Sequence, residues 1–362
     1  MKPSERQVVI FGGAGFIGCN VAQSYLSEGR SVLVFDNLSR PGVEKNLRWL
    51  QEQHGDRLQV ELGDVQDAKA VRRALRHASE AFHFAAQVAV TTSLEDPVHD
   101  FQVNALGTLN VLEGLRAMET PASLVFTSTN KVYGGLRGHR FAAEARRYQP
   151  VDPATRAEGI SEQCPLDFES PYGCSKGTAD QYVLDYARSY GLRTAVFRMS
   201  CIYGPRQFGT EDQGWVAHFL IRTLKRQPIT LYGDGMQVRD ILFVEDLVRA
   251  FRLAQARMDQ VSGEAFNIGG GPSRTVSLLE LLELIEELIG HRPEVSFEGW
   301  RTGDQRYYVS DTRKFQAATG WAPRVGVREG VARLLHWLED MLGEAAQRQP
   351  ATRQEPVETH AG

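Results

Sequence analysis

The chain has 362 residues, room for one large domain or two ordinary ones at roughly 150 residues each. Hydrophobic residues make up 42% and charged residues 24%, so the chain can bury a full core and is not of disordered composition. Lys+Arg 41 against Asp+Glu 45 leave a formal net charge of −4, which offers no electrostatic footprint for nucleic acid or an anionic membrane. No apolar run reaches the roughly 18 residues of a membrane span. The opening MKPSERQ lacks an apolar stretch, which predicts no secretory signal and a cytoplasmic location. Cys19, Cys164, Cys174 and Cys201 are too few for a disulfide scaffold, and none forms a C-x-x-C pair, so no metal site is expected.

Apolar runs of strand length recur along the first half, at 8–11, 32–35, 58–62, 81–84, 124–126 and 195–198, with helical stretches between them. Runs without alternation predict strands buried on both faces of a parallel sheet, with helices as right-handed crossovers. The predicted fold class is α/β, a Rossmann-type doubly wound parallel sheet with a smaller mixed α/β domain. After residue 200 the regularity breaks at Gly204-Pro205 and Gly233-Asp234-Gly235, and leucines and isoleucines at helical spacing predict a helix over 278–288. The span 135–169 reads as long and irregular, which in a compact domain marks a functional or mobile loop. Residues 343–362, polar and without aromatics, read as a disordered tail.

The first run leads into FGGAGFIG, whose Gly12, Gly15 and Gly18 follow a strand and open a helix. In that setting the first glycine permits the tight turn, the second lets backbone amides approach a pyrophosphate, and the third lets helix and strand pack closely. The helix N-terminus then presents its positive end to phosphate. The second run ends at Asp36, 18 positions after Gly18, where a carboxylate bonds the adenosine ribose hydroxyls and repels a 2′-phosphate. This favours NAD over NADP, although nearby Arg40 has the chemistry to partner a phosphate. Asp64 and Val65, after the third run, sit where adenine would lie; a helix N-cap fits Asp64 equally well.

Tyr172 and Lys176 stand four apart, on one face of a helix. A free tyrosine has a pKa of about 10, too high for a base at neutral pH. An ammonium one turn away, together with a nicotinamide cation, is expected to stabilise its phenolate. The fifth run ends in Thr127-Ser128-Thr129, placing a hydroxyl at the crevice where open α/β sheets bind ligands. Thr129 is thus a candidate to orient a substrate hydroxyl, with a turn cap as the competing role.

Together, FGGAGFIG, FHFAAQ, VNALGTLNVLE, the hydroxyl-rich strand end and PYGCSK resemble the extended short-chain dehydrogenase/reductase superfamily, in its nucleotide-sugar epimerase/dehydratase branch. The resemblance runs from about residue 7 to about 342. DNLSR at 36–40, QVAVTTS at 87–93, STNKVYG at 128–134, SPYGCSKGTADQYVLDYAR at 170–188, RQFGTEDQGW at 206–215 and DQR at 304–306 are similar to the members that invert C2 of CDP-3,6-dideoxyhexoses. The resemblance implies a catalytic triad of Thr129, Tyr172 and Lys176. It implies NAD contacts from Gly12, Gly15, Phe16, Ile17, Gly18, Asp36, Asn37, Ser39, Arg40, Asp64, Val65, Ala85, Ala86, Gln87, Asn104, Tyr172 and Lys176. On the substrate side it implies Thr91, Thr92, Ser93, Thr129, Ser200, Cys201 and Gln207, with Arg239 and Arg306 holding the diphosphate. It further implies a cofactor domain over 1–195 with returns to the sheet near 240–268, a mainly nucleotide-sugar-binding domain over 196–342, and a homo-oligomer, dimer or tetramer.

The sequence departs from the pattern at three places. Phe11-Gly12 replaces the Thr-Gly of many relatives. Cys201 stands where many have asparagine and the C2-epimerase-like members a small hydroxyl residue. Asn130-Lys131 replaces the Asp-Glu pair with which sugar 4,6-dehydratases eliminate water, which argues against dehydration. The reading is an NAD-dependent nucleotide-sugar epimerase, working by transient hydride transfer, most similar to the C2 enzymes. The alternatives are a nucleotide-sugar 4-epimerase and a catalytically silent NAD sensor.

Overall fold

The computed structural model describes residues 7–348. Strand β1 (Gln7–Phe11) is buried along its whole length and leads into α1 (Phe16–Leu26). The alternation continues through β2 (Val32–Asp36), α2 (Val43–His54), β3 (Leu58–Leu62), α3 (Ala68–Leu75) and β4 (Ala78–His83). Two short helices, α4 (Val90–Glu95) and α5 (Pro97–Phe101), a π-turn over Gln102–Leu106, and α6 (Gly107–Arg116) carry the chain to β5 (Ser123–Thr129). A hairpin of β6 (Phe141–Glu144) and β7 (Arg147–Pro150) and helix α7 (Pro153–Glu158) precede the long α8 (Ser170–Tyr190) and β8 (Thr194–Met199). Next come β9 (Cys201–Tyr203), α9 (Trp215–Leu224), β10 (Ile229–Tyr232), β11 (Val238–Phe243), α10 (Val244–Ala256), α11 (Met258–Val261) and β12 (Glu264–Ile268). The remaining elements are β13 (Thr275–Ser277), α12 (Leu278–Ile289), β14 (Val295–Glu298), β15 (Tyr307–Tyr308), α13 (Arg313–Thr319) and α14 (Val327–Arg348).

Seven parallel strands form the main sheet in the order β12-β8-β5-β4-β1-β2-β3. The strand order reverses between β1 and β4, so the carboxyl ends of these strands open a crevice there. Successive residues of β1 feed opposite faces. Val8 and Ile10 join a core with α1 and α10 residues such as Val21 and Phe251, whereas Val9 and Phe11 join one with Val71, Leu112 and Val183. The chain is a Rossmann-type α/β fold with a smaller second part. In that part β11 pairs with β13, β15 and β9, β10 pairs with β14, and a third core forms around Phe219, Leu281, Ile285 and Leu334. Helix α12 is stapled at its start by a capping box between Ser277 and Glu280 and ends on Gly290 in the left-handed region.

Four expectations change. The 58–62 run is the edge strand of the sheet among the described residues, and it is not covered on both faces: Gln59 is exposed and Leu62, at its end, is 65% exposed. The fourth strand sits earlier than its apolar run, Ala78–His83, and Phe84 belongs to the loop beyond it. The span 135–169 is irregular only in part: the β6–β7 hairpin and α7 lie within it, and 159–169 has no helix or strand. Residues 343–348 continue α14 instead of starting a disordered tail, and 349–362 lie outside the described residues. Of the stretch at 240–268, β12 joins the main sheet while β11 belongs to the second. Among the described residues no helix is long and apolar enough to cross a membrane.

Candidate active site

The turn after β1 leaves no room for side chains. Gly12 has φ +78, and a Cβ there would lie 2.6 Å from the Ala85 amide nitrogen; one at Gly18 would collide with the Gly12 carbonyl oxygen. Gly15 precedes α1, whose first turn has no side-chain cap and no acidic residue. Its free amides, with half-exposed Phe16 and Ile17 beside them, therefore face the crevice. Gly13, unremarked in the sequence reading, is equally constrained, since its Cβ would meet Val34 at 2.9 Å. The doubled glycine was its signal.

Asp36 ends β2 and holds this turn in place. Its Oδ2 accepts from the Ala14 amide at 3.0 Å and its Oδ1 from the Leu38 amide at 2.9 Å. Burial pushes its pKa up, and these amide bonds push back. A carboxylate has about four acceptor sites, so capacity remains for ribose hydroxyls. Asn37 donates to Asp64 Oδ2 at 2.9 Å, joining the loops after β2 and β3. The cap of α3 is Asp67, so Asp64 is not its N-cap; Asp64 Oδ1 accepts from the Gln66 amide at 2.9 Å. Val65 is buried against Gly107, and Ser39 is exposed with its amide on Asn37. Arg40 is exposed, and its charge acts on both Asp36 and Tyr172.

Across the reversal point, the Ala85 amide donates to Phe11 O at 3.0 Å, and the loop runs through Ala86 to Gln87. Asn104 is turned inward. It is 1% exposed, accepts from the Gln87 amide and donates to Gln87 O, Asp100 and Ser175. Its position in the π-turn puts the amide behind the loop, which it supports.

Helix α8 brings Tyr172 and Lys176 against the end of β5. Tyr172 is 9% exposed and hydrogen bonds Thr129, the last residue of β5. Lys176 is 4% exposed and donates to Thr127 O at 2.7 Å, with its ammonium 4.4 Å from the Phe126 ring centre. Thr129 also accepts from the Lys131 amide at 3.2 Å, so its turn-capping role holds alongside the contact with Tyr172. The predicted electrostatics need correction. Burial pushes Tyr172 up to about 12; Thr129 and Arg40 act downward and Asp100 upward, while Lys176 is not among the groups acting on it. The lysine lies along the strand on Thr127 instead of over the phenol, and burial drives its own pKa down to about 8 against the pull of Asp180 and Asp100.

The substrate-side residues divide. Ser93 is fully buried, its hydroxyl donating to Val90 O and accepting from the Tyr172 amide, so it ties α4 to the start of α8. Thr92 is exposed, and the Thr91 hydroxyl is buried without a partner. Ser200 Oγ engages Asp240, Cys201 Sγ accepts from Trp215 Nε1 at 3.3 Å, and Gln207 Oε1 is buried and unpartnered. Burial raises the Cys201 thiol, so it is no nucleophile. Arg239 is 7% exposed and pairs with Asp304 at 2.7 Å, whereas Arg306 is exposed near the Tyr148 and Trp300 rings. Asn130 bonds Gln305 at 2.9 Å and Lys131 bonds Gly303 O at 2.8 Å, fastening this loop to the catalytic strand. Asp100, Ser175 and Asp304 are the site residues that the sequence reading missed. A single buried carboxylate on a short helix leaves no motif.

Residues 8–269 match the model of the NAD dependent epimerase/dehydratase family. The CDP-paratose 2-epimerase of Salmonella typhi is 42% identical over 338 residues, covering 91% of this chain and 98% of that protein. The UDP-glucose 4-epimerase of Mycolicibacterium smegmatis is 30% identical over 335 residues, covering 92% and 99%. Among solved structures, the UDP-glucose 4-epimerase of Thermotoga maritima with UDP-glucose is 31% identical at a TM-score of 0.78, covering 93% of this chain and 99% of that one. The UDP-glucose 4-epimerase of Thermus thermophilus in complex with NAD is 33% identical at a TM-score of 0.76, covering 92% and 99%. With its glycine turn, its Thr129–Tyr172–Lys176 cluster and these matches, the chain belongs to the NAD dependent epimerase/dehydratase family.

Proposed function

We propose that the protein is an NAD-dependent nucleotide-sugar epimerase that inverts C2 of a CDP-3,6-dideoxyhexose, in the direction CDP-paratose to CDP-tyvelose or its reverse. The observation that carries this reading is the 42% identity to a CDP-paratose 2-epimerase across 91% of the chain. The crevice suits the cofactor: the turn at Gly12 and Gly18 excludes side chains, the first amides of α1 are free, and Asp36 has acceptor capacity for a ribose. Gly15, Phe16, Ile17, Asn37, Asp64 and the loop at Ala85–Gln87 would complete that site. When bound, NAD supplies a reversible hydride acceptor, so a carbinol carbon can be oxidised and reduced with no net redox change.

The chain's own groups handle the proton. Thr129 orients the sugar hydroxyl and the Tyr172 oxygen, and Tyr172 takes the hydroxyl proton as base and returns it as acid. Burial, with Asp100 adding to it, holds that phenol near 12, so added positive charge in the crevice is needed to make the phenolate accessible. Arg40 contributes part of it. Lys176, held by Thr127, is the ammonium proposed to bond the ribose of the nicotinamide half. Arg239, with Arg306 at the rim, is the cation set proposed for the diphosphate. The second part of the fold, built from β9–β11, β13–β15, α9, α12 and α14, is then the nucleotide-sugar side. A homo-oligomer is the proposed assembly, supported by exposed Val98, Phe101, Tyr182 and Tyr190 on the neighbouring α5 and α8.

The test is a panel of nucleotide sugars followed by proton NMR. CDP-paratose giving CDP-tyvelose supports the proposal; inversion of UDP-glucose at C4, with CDP-paratose untouched, favours the second reading that the 30% identical UDP-glucose 4-epimerase raises.

A further inference from the structure

Asp100 lies on α5, outside every motif, yet it is fully buried behind the catalytic helix. One carboxylate oxygen accepts from the hydroxyl of Ser175, the residue before Lys176; the other accepts from Asn104 Nδ2 at 3.2 Å. Asn104 holds both the amide and the carbonyl of Gln87 and bonds Ser175 Oγ at 3.1 Å. One buried carboxylate thus joins α5, the π-turn, the loop beside the glycine turn, and the helix turn between Tyr172 and Lys176. Apolar burial of a lone charge is costly, so a carboxylate retained here needs a partner charge. Its hydrogen bonds come from neutral groups; burial pushes its pKa up, and the charges that act against that are Lys176 and His99.

We infer that Asp100 is a positioning residue for the proposed epimerase reaction, which holds the Tyr172–Lys176 turn through Ser175 and sets a buried carboxylate behind that pair. This rests on the reading of Tyr172 and Lys176 as the catalytic pair. The other charges facing them are Asp180 on α8, Arg40 from the loop after β2, and His83 on β4. His83 is buried, driven down to about 3, and so neutral. Exposed His99 faces Asp100 from its own helix. Asp100 raises both catalytic groups, opposing the burial that drives Lys176 down and adding to the burial that drives Tyr172 up. Neutralising it therefore moves both titrations the same way, to lower pH, whereas merely loosening the helix lowers the rate at every pH and moves neither.

The experiment is the pH profile of kcat and kcat/KM for the NAD-loaded Asp100→Asn enzyme, with Asp100→Ser as a smaller neutral variant should the amide misfold. Ser175→Ala serves as the control that removes the bond and keeps the charge. Both neutral variants are expected to shift the acid and basic limbs down by roughly one unit, the size that a nearby charge produces. Ser175→Ala is expected to lower kcat without moving the limbs. Limbs that stay in place in a folded, NAD-loaded neutral variant overturn the inference and leave the epimerase reading intact. A wild-type enzyme inert towards every nucleotide sugar overturns the epimerase reading instead.

Discussion

The Lys176 ammonium is bonded to the carbonyl oxygen of Thr127, two residues before Thr129 on the same strand. This contact pins α8 to β5 and fixes the distance between the helix that carries Tyr172 and the strand that carries Thr129. It also isolates a charge. With burial lowering Lys176 to about 8, its ammonium is fully present well below that pH and is lost as pH rises through it. If the charge is needed for turnover, kcat/KM falls as pH rises through about 8. Lys176→Arg, whose cation does not titrate in this range, is expected to remove that basic limb even at a lower plateau. A pH–rate series on both enzymes checks this; a limb that persists in the arginine variant belongs to another group.

Tyr172→Phe keeps the ring that packs against the site and deletes the oxygen that hydrogen bonds Thr129. The expected loss is about 10²–10⁴ in kcat, the usual worth of a positioned acid–base group. Nucleotide-sugar affinity, read by calorimetry, is expected to change little, because the oxygen acts in the transition state. Near-normal turnover would mean that the base lies elsewhere.

Asp36 has two tasks that one substitution separates from cofactor choice. In the wild-type chain its carboxylate is expected to exclude a 2′-phosphate, so NAD binds more tightly than NADP once resident cofactor is stripped. Asp36→Ala is expected to weaken NAD as well, since the Ala14 and Leu38 amides lose their acceptor and the turn loosens. Paired titrations with the two cofactors read both effects. Equal or tighter NADP binding by the wild type would overturn the assignment.

Arg198 and Asp180 form a bidentate pair at 2.9 Å, with side chains 6% and 1% exposed, and Arg198 also bonds the Tyr133 hydroxyl at 3.1 Å. Asp180→Ala leaves a buried guanidinium without its counter-charge. The expected cost is about 3–5 kcal/mol, read by denaturant unfolding at neutral pH. A loss within about 1 kcal/mol would mean that water or Tyr133 already satisfies Arg198.

The parts of this architecture that were legible in the sequence are those that steric necessity writes into local patterns. Gly12 and Gly18 admit no side chain, and Tyr172 and Lys176 must share a helix face, so both appear as spacings. The β3 edge was not legible, because a run of five apolar and polar residues does not say whether another strand lies beyond it. Nor was the role of Asn104, whose neighbours Asp100, Ser175 and Gln87 come from three separate segments. The reach of Lys176 towards Thr127 instead of Tyr172 depends on a side-chain torsion that i, i+4 spacing leaves free.

The route of the migrating hydrogen is the final test. A hydrogen moved as hydride and returned to the same carbon never exchanges with water, whereas one removed as a proton next to a carbonyl is replaced from solvent. Proton abstraction from carbon needs a free base beside the sugar, and the structure accounts for the nearest candidates. Asn130 is neutral and bonded to Gln305, Lys131 is tied to Gly303 and faces Asp304, and Asp304 is itself neutralised by Arg239. Cys201 is held as a thiol by burial and accepts from Trp215. Epimerisation in deuterium oxide is therefore expected to give product without deuterium at the inverted carbon, read by NMR or mass spectrometry. Stoichiometric deuterium there would exclude hydride return and require Lys131, Asp304 or Cys201 to be released as a base.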